Sequence, residues 1–431
     1  MKKQKTEANW PKLRKFLNDV HLWIGLPSGI IVLLICLSGT IYVFNTEIRE
    51  LSSPELYKVS HAADAQRLSA EELIAAVGSE TGGRVISIKI PADPERTYVL
   101  TVRKAEESKP GEKKGEKRDE AVKGSVPERA KAKSGAGAAE KPGPPPRGVQ
   151  YMVDPYSGKI LGSSTDKNAV SEFMQVMFSL HRWLLLDRIE EPLIGELPNR
   201  KLGSYISGTA TILFTLGVIT GIIIWFPQKI RNWKQGLKIK WNANWKRVNH
   251  DIHNSLGFYS CIFLFLMGIT GPQWSFEWYR TGLRKTLGTY QSEDAPKPKT
   301  PKSDLQTPSA NTLLIESFIG VADQSLNYTG DLTISLPADS SDAVQLSKTR
   351  KGFFAPVAAD KIWIDQYTAS VLQSDIFSQK PFNERVSNSI KAIHVGDVYG
   401  TFSKILYFLA CLIATSLPVT GTLIWINKMK K

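Results

Sequence analysis

Asp19-Val20-His21-Leu22-Trp23-Ile24-Gly25 returns in the second half of the chain as Asp251-Ile252-His253-Asn254-Ser255-Leu256-Gly257, and each copy opens a long apolar stretch. The same offset pairs Arg14 with Lys246, Gly39 with Gly271 and Phe44 with Phe276. Further on, Tyr151–Leu161 matches Trp363–Leu372, His181 matches His394, and Thr220-Gly221-Ile222-Ile223-Ile224-Trp225 matches Thr420-Gly421-Thr422-Leu423-Ile424-Trp425. Chance supplies one such match, not several in one order. Each half therefore reads as a span, an outer domain, a histidine helix and a second span.

The apolar stretches Leu22–Phe44, Tyr205–Phe226, Leu256–Phe276 and Ile405–Ile426 reach the roughly 20 residues that cross a bilayer. The first follows a basic start, as in a signal peptide. It is too long for a signal core, and Ser38-Gly39-Thr40-Ile41 is a poor cleavage site, so it reads as a retained anchor. Orientation follows from the basic residues. Lys2, Lys3, Lys5, Lys12, Arg14 and Lys15 precede the first span. Lys229, Arg231, Lys234, Lys238, Lys240, Lys246 and Arg247 lie between the second and third, and Lys428, Lys430 and Lys431 end the chain. All three groups belong in the cytoplasm, which leaves the two long loops outside. Both halves then start on the same side, giving a parallel repeat about a pseudo-twofold along the membrane normal.

The net charge of +14 is thus a topology signal that also suits anionic lipid, and it needs no nucleic acid. Cys36, Cys261 and Cys411 all fall inside spans and read as small packing residues rather than disulfides.

The outer domains read as a helix followed by strands. Ser69–Gly78 has helical spacing, with Ser69 as N-cap and Glu72 completing a capping box. Arg84–Ile90 and Arg96–Arg103 alternate like strands. Asp154-Pro155-Tyr156-Ser157-Gly158 turns a hairpin between Val149–Val153 and Lys159–Gly162. The second domain repeats this loosely, with a helix over Asn311–Ala322 and strands over Thr329–Leu336 and Lys361–Asp365. Residues 104–147, rich in Lys, Glu, Gly, Pro and Ala, cannot bury enough surface to order themselves and read as a solvated insertion.

The fold class that results is a four-helix transmembrane bundle from a parallel internal repeat, carrying two outer α+β domains. Its segments are an N-terminus at 1–21, a first span at 22–44, an outer domain at 45–170, a histidine helix and connection at 171–202, and a second span at 203–226. They continue with a basic loop at 227–254, a third span at 255–276, a second outer domain at 277–380, a histidine helix at 381–401, a fourth span at 402–426 and a C-terminus at 427–431.

Polar rings at a membrane edge mark function. Topology pairs His21 with His253 on the inner side and His181 with His394 on the outer. Two facing imidazoles between helices can be the axial ligands of a b-type haem, with the helices as apolar walls. Two pairs imply two b-type haems. Gly25 and Gly257 follow their histidines by one turn, where a missing side chain lets a flat ring approach. Arg182 and Lys391 outside, and Arg14 and Arg247 inside, could meet propionates. His250 shares a helix face with His253 and is an alternative inner ligand, while His61 reads as a surface residue. Zinc would want a fuller ligand set. Trp183, Trp274, Trp278 and Tyr279 fall near the outer interface, as in an aromatic belt.

The segments Asn18–Gly25, Ser179–Leu186 and Thr220–Pro227 resemble those of PepSY-associated transmembrane proteins, and the turns at Asp154 and Asp365 resemble the end of a PepSY domain. The resemblance covers nearly all of the chain except 104–147. It implies a bacterial inner-membrane protein with two PepSY-like periplasmic domains. Members of the family include siderophore reductases with two b-type haems, so the resemblance implies electrons passing outward to a ferric siderophore and release of ferrous iron. No Gly-rich nucleotide fingerprint occurs, so the electron donor is a separate reductase protein or a quinol. Two other classes remain: a tethered peptide- or protein-binding module without redox activity, and an iron or siderophore transporter. Ala369-Ser370, where the first half has Gly158-Lys159, departs from the pattern and bears on substrate choice.

Overall fold

Runs of apolar residues longer than a bilayer is thick can satisfy their backbone groups only as helices. The computed structural model describes residues 2–61, 64–104, 148–227, 230–292, 295–296, 299–304 and 314–430. The expected insertion, but for residue 104, lies outside the described residues, as does the start of the helix expected over Asn311–Ala322. The elements that build the molecule are, in chain order, α1 (Lys2–Tyr42), α2 (Ala70–Thr81), β1 (Arg84–Ile90), β2 (Tyr98–Arg103), β3 (Val149–Val153), β4 (Ile160–Ser163), α3 (Ala169–Trp183), α4 (Asn199–Trp225) and α5 (Trp245–Thr270). They continue with α6 (Ile315–Ser325), β5 (Gly330–Ser335), β6 (Val344–Arg350), β7 (Ala359–Ile364), β8 (Val371–Asp375), α7 (Phe382–Asn388), α8 (Ile390–Val395) and α9 (Gly400–Met429).

Among the described residues four stretches are long and apolar enough to cross a membrane: Trp10–Tyr42, Asn199–Trp225, Trp245–Trp274 and Gly400–Met429. In the bundle α1 packs against α4 and α9, and α5 packs against the same two. So α1 and α5 stand on a diagonal and face each other across the centre. Ser28, Ser38, Thr40, Thr215 and Ser260 are buried, and each hydroxyl donates to a carbonyl one turn back in its own helix, which satisfies it without water. Large apolar residues such as Ile30, Ile262, Leu409 and Leu412 remain exposed on the outside of the bundle, where lipid is the solvent they fit.

The two long connections, between α1 and α4 and between α5 and α9, share one sheet. All eight strands pair antiparallel in the order β4-β3-β2-β1-β5-β6-β7-β8. The sequence reading expected two outer domains and said nothing of how they meet; β1 and β5 join their strands edge to edge, with Ile88 opposite Ile334 and Ile90 opposite Leu332. Helices α2 and α6 cover the core of this sheet. Leu73, Ile88, Leu100, Phe318, Ile334, Leu346 and Ile362 there are 1 % exposed or less. Ser69 and Glu72 close the expected capping box. The two helices also cap each other: the Ala70 N–H donates to Glu316 Oε1 at 3.3 Å, and the Ile315 N–H donates to the Glu71 carboxylate. Phe318 belongs to one buried cluster that draws residues from both halves of the sheet. Phe318→Ala is expected to destabilise the sheet by about 3–5 kcal/mol, read as a lower denaturant midpoint of the whole chain in detergent. A loss under about 1 kcal/mol would show that this core is not shared.

Candidate functional site

His21 and His253 lie well inside α1 and α5 rather than at their starts. For α5 the reason is local: Asn244 caps the helix, its side chain accepting from the Arg247 N–H at 3.0 Å, so helix begins two turns before His253. Across the bundle diagonal the two rings face each other, with centroids 6.3 Å apart and planes crossing at 85°. At the end nearer the sheet, His181 on α3 faces His394 on α8, with centroids 6.1 Å apart and planes at 61°. A bond from a metal ion to an imidazole nitrogen is about 2 Å. Two imidazoles bound to one metal from opposite sides therefore have centroids about 6 Å apart, given roughly 1 Å from nitrogen to ring centre. Both pairs match that spacing.

The ring nitrogens are also sorted. His21 Nδ1 lies 3.0 Å from Gly217 O and 3.0 Å from Thr220 Oγ1. His253 Nδ1 lies 2.9 Å from Thr420 Oγ1. His181 Nδ1 lies 2.9 Å from Ile35 O, and His394 Nδ1 lies 3.2 Å from Met267 O and 3.0 Å from Thr270 Oγ1. Carbonyls only accept. The hydroxyls of Thr220, Thr270 and Thr420 already donate to carbonyls of their own helices, so they too must accept. Every Nδ1 is then the protonated nitrogen, and every Nε2 keeps a lone pair. Fixing the far nitrogen in this way is how proteins orient a ligating imidazole. At the pair nearer the sheet, burial pushes His181 below its ordinary pKa; burial, then the facing His181, bring His394 down to about 3. Both rings are held neutral, the state a ligand needs.

Glycine gives each ring its place. A Cβ on Gly221 would lie 3.3 Å from His21 Cε1, and on Gly421 3.2 Å from His253 Cε1. One on Gly39 would lie 3.1 Å from the His181 ring, and on Gly271 3.2 Å from His394 Cε1. Beside the His21–His253 pair lies a cavity of about 410 Å³, walled by Leu22, Phe214, Trp225, Phe258 and Leu264. Gly25 and Gly257 line it, and a Cβ at Gly25 would meet nothing within 4 Å. The stretch of α1 from His21 to Gly39 covers about 27 Å, so the two pairs sit towards opposite ends of the spans.

The other sequence candidates divide. His250 is half-exposed at the cavity rim, its Nδ1 3.6 Å from Asp251 Oδ1, and it is His253 whose ring faces His21. His61 stacks on Tyr156 in the sheet domain, at 4.2 Å. Arg14 donates to Ile224 O, and Arg247 pairs with Asp251 at 2.9 Å. Neither lines the cavity; Lys428 does. Near the pair at the sheet end Lys391 is exposed, whereas Arg182, next to His181 in the chain, has its Nε buried with no hydrogen-bond partner. Trp274 is 38 % exposed and its ring lies 5.0 Å from that of His394. Among the described residues no group of three or more His, Cys, Asp or Glu could hold a metal ion.

Sequence reasoning missed Thr220, Thr270 and Thr420, which set the Nδ1 protons, and Gly39, Gly221, Gly271 and Gly421, on which the rings lie. The signal was present, because all but Thr270 belong to the matched positions of the two halves, where they served only to fix the register. Comparison with the curated proteins yields no match. A family model described as the PepSY-associated TM region matches residues 19–428, from just before His21 to the last turn of α9. With that match and four candidate spans, the chain is a membrane protein that belongs to the PepSY-associated transmembrane family.

Proposed function

We propose that the chain is a di-haem b reductase of the bacterial inner membrane, passing electrons from a cytoplasmic-side protein or a quinol to a periplasmic ferric siderophore. The observation that carries this reading is the pair of facing imidazole couples, 6.3 and 6.1 Å apart, all four anchored through Nδ1. The residues present fit the group on a second count. Buried, unpartnered Arg182 Nε suits a propionate of an outer haem, and Lys428 at the cavity suits those of an inner one. A haem in each place would supply a one-electron carrier, the two together serving both membrane faces.

The chain's own part is to bind and orient. His21 and His253 would hold the inner iron, and His181 and His394 the outer. Thr220, Thr270 and Thr420 keep their imidazoles in one tautomer, and the glycines let the rings and the porphyrin approach the backbone. The apolar cavity wall excludes water, which keeps charge from being screened. Basic residues in the N-terminal part of α1, from the end of α4 to the first turn of α5 and at the end of α9 favour cytoplasmic termini. The matched contacts of His21 with Thr220-Gly221 and of His253 with Thr420-Gly421 support the parallel repeat, and the strands on either side of the β1–β5 seam suit two PepSY-like units. The ferric siderophore comes from the family resemblance alone.

Protein purified from cells supplied with ample haem is expected to be red. Its reduced-minus-oxidised spectrum should be that of low-spin bis-histidine haem, at about two per chain. Adding a ferric siderophore to the dithionite-reduced protein should reoxidise it. A colourless preparation sinks the reductase reading and favours the tethered binding module; a red protein inert to ferric siderophores removes only the acceptor.

A further inference from the structure

The connection between β6 and β7 exposes two adjacent phenylalanines, Phe353 at 51 % and Phe354 at 62 %. Apolar residues exposed singly are ordinary, but a contiguous patch marks a contact surface. These two pack on Phe402 in the first turn of α9: Phe354 lies 4.8 Å from it and Phe353 6.1 Å, and the two are 4.8 Å apart. The loop is held there by its backbone. The Phe402 N–H donates to Phe353 O at 3.1 Å. Gly400, at φ +62°, lets the chain pass close, since a Cβ there would lie 2.9 Å from Gly352 O and 3.3 Å from Phe353 O and Ala355 O.

What should cover the patch follows from what it joins. Phe402, Ile405, Leu409, Leu412, Val419 and Leu423 recur at helical spacing along one face of α9 and are 36–52 % exposed. On a membrane-spanning helix that face meets lipid. Phe353 and Phe354 continue it beyond the helix end. We propose that the β6–β7 connection inserts Phe353 and Phe354 into the lipid of the leaflet nearer the sheet. The sheet is then pinned to the membrane at one edge as well as tethered through its helices. The inference is independent of the haem reading. Lys351 and Arg350 beside it are engaged within the protein, by Asp331 at 3.0 Å and by the Tyr328 ring at 3.7 Å, so apolar contact rather than headgroup charge is the recognising chemistry.

The test is an environment-sensitive fluorophore on a single cysteine. The full chain, with Cys36, Cys261 and Cys411 replaced, carries either Phe354→Cys or Thr368→Cys. Thr368 is exposed in the turn at the other end of β7. In phosphatidylethanolamine–phosphatidylglycerol vesicles, the Phe354 label is expected to emit to the blue of the Thr368 label. Lipid brominated on its acyl chains should quench it at least twofold while leaving the Thr368 label unchanged. Phe353→Cys should behave as Phe354→Cys does, which guards against one substitution disturbing the loop. Water-like, unquenched emission from both phenylalanine positions overturns the proposal and leaves the patch to a soluble partner.

Discussion

His253→Ala is expected to leave a folded, still red protein with about one haem per chain in place of about two. The same holds for His21→Ala, while His181→Ala and His394→Ala should each remove the other haem. The reason is the separation of the two pairs along the spans: each imidazole faces one partner only. Removing it leaves the facing Nε2 with nothing to share, and one axial ligand does not hold a low-spin haem. The ring planes cross at 85° in one pair and 61° in the other, so the two ferric low-spin signals should be separable by electron paramagnetic resonance, and each variant should erase one. His250→Ala should keep both, because that ring sits half-exposed at the rim beside Asp251. Retention of both haems by His253→Ala together with loss of one by His250→Ala would reverse the inner assignment. Loss of both haems from every single variant, in protein that remains folded by circular dichroism, would mean that the pairs are not independent sites.

Such pairing was legible in the sequence because two kinds of information agreed. Hydropathy set four spans, and the matched halves set which histidine answers which. The spans were found by composition, but their ends were not: polar residues from Trp245 to Asn254 continue α5 below the apolar stretch, and hydropathy cannot see a polar turn that stays helical. Within the sheet domain the alternation of β1 and β2, the turn between β3 and β4 and the Ser69 cap were readable locally. β6 was not, because its third inward position is Lys348, buried with Nζ satisfied by Asp323 at 2.9 Å and Leu326 O at 2.9 Å. A charged residue at an inward position breaks the pattern that marks a strand. β8 is an edge strand with no buried residue, so it carries no apolar face to read. The β1–β5 seam joins residues such as Ile88 and Ile334, which are far apart in the chain, and no local rule reports a pairing of that kind.

The second large effect concerns residues that touch no metal in any reading. Gly421→Val is expected to remove the inner haem at least as fully as a ligand substitution, although His253 is intact. A Cβ at Gly421 already stands 3.2 Å from His253 Cε1, closer than ordinary contact, and the two further methyl groups of valine would occupy the ring's own volume. The imidazole must swing away, which breaks its 2.9 Å bond to Thr420 and takes Nε2 off the line to His21. A misplacement of about 1 Å is enough to spoil a preorganised site. Thr420→Val separates the two contributions. It keeps the space but deletes the hydroxyl acceptor for Nδ1–H and leaves the Leu417 backbone, and losses of this sort in a ligand's supporting contacts typically weaken metal binding about 10–100-fold. Thr420→Ser restores the hydroxyl and should restore haem affinity. The ordering Gly421→Val worst, Thr420→Val intermediate and Thr420→Ser near the parent, measured by haem titration of the stripped protein, is what ring placement plus tautomer control requires. If Thr420→Val binds as the parent does, the threonine merely fills space, and the glycine alone shapes the site.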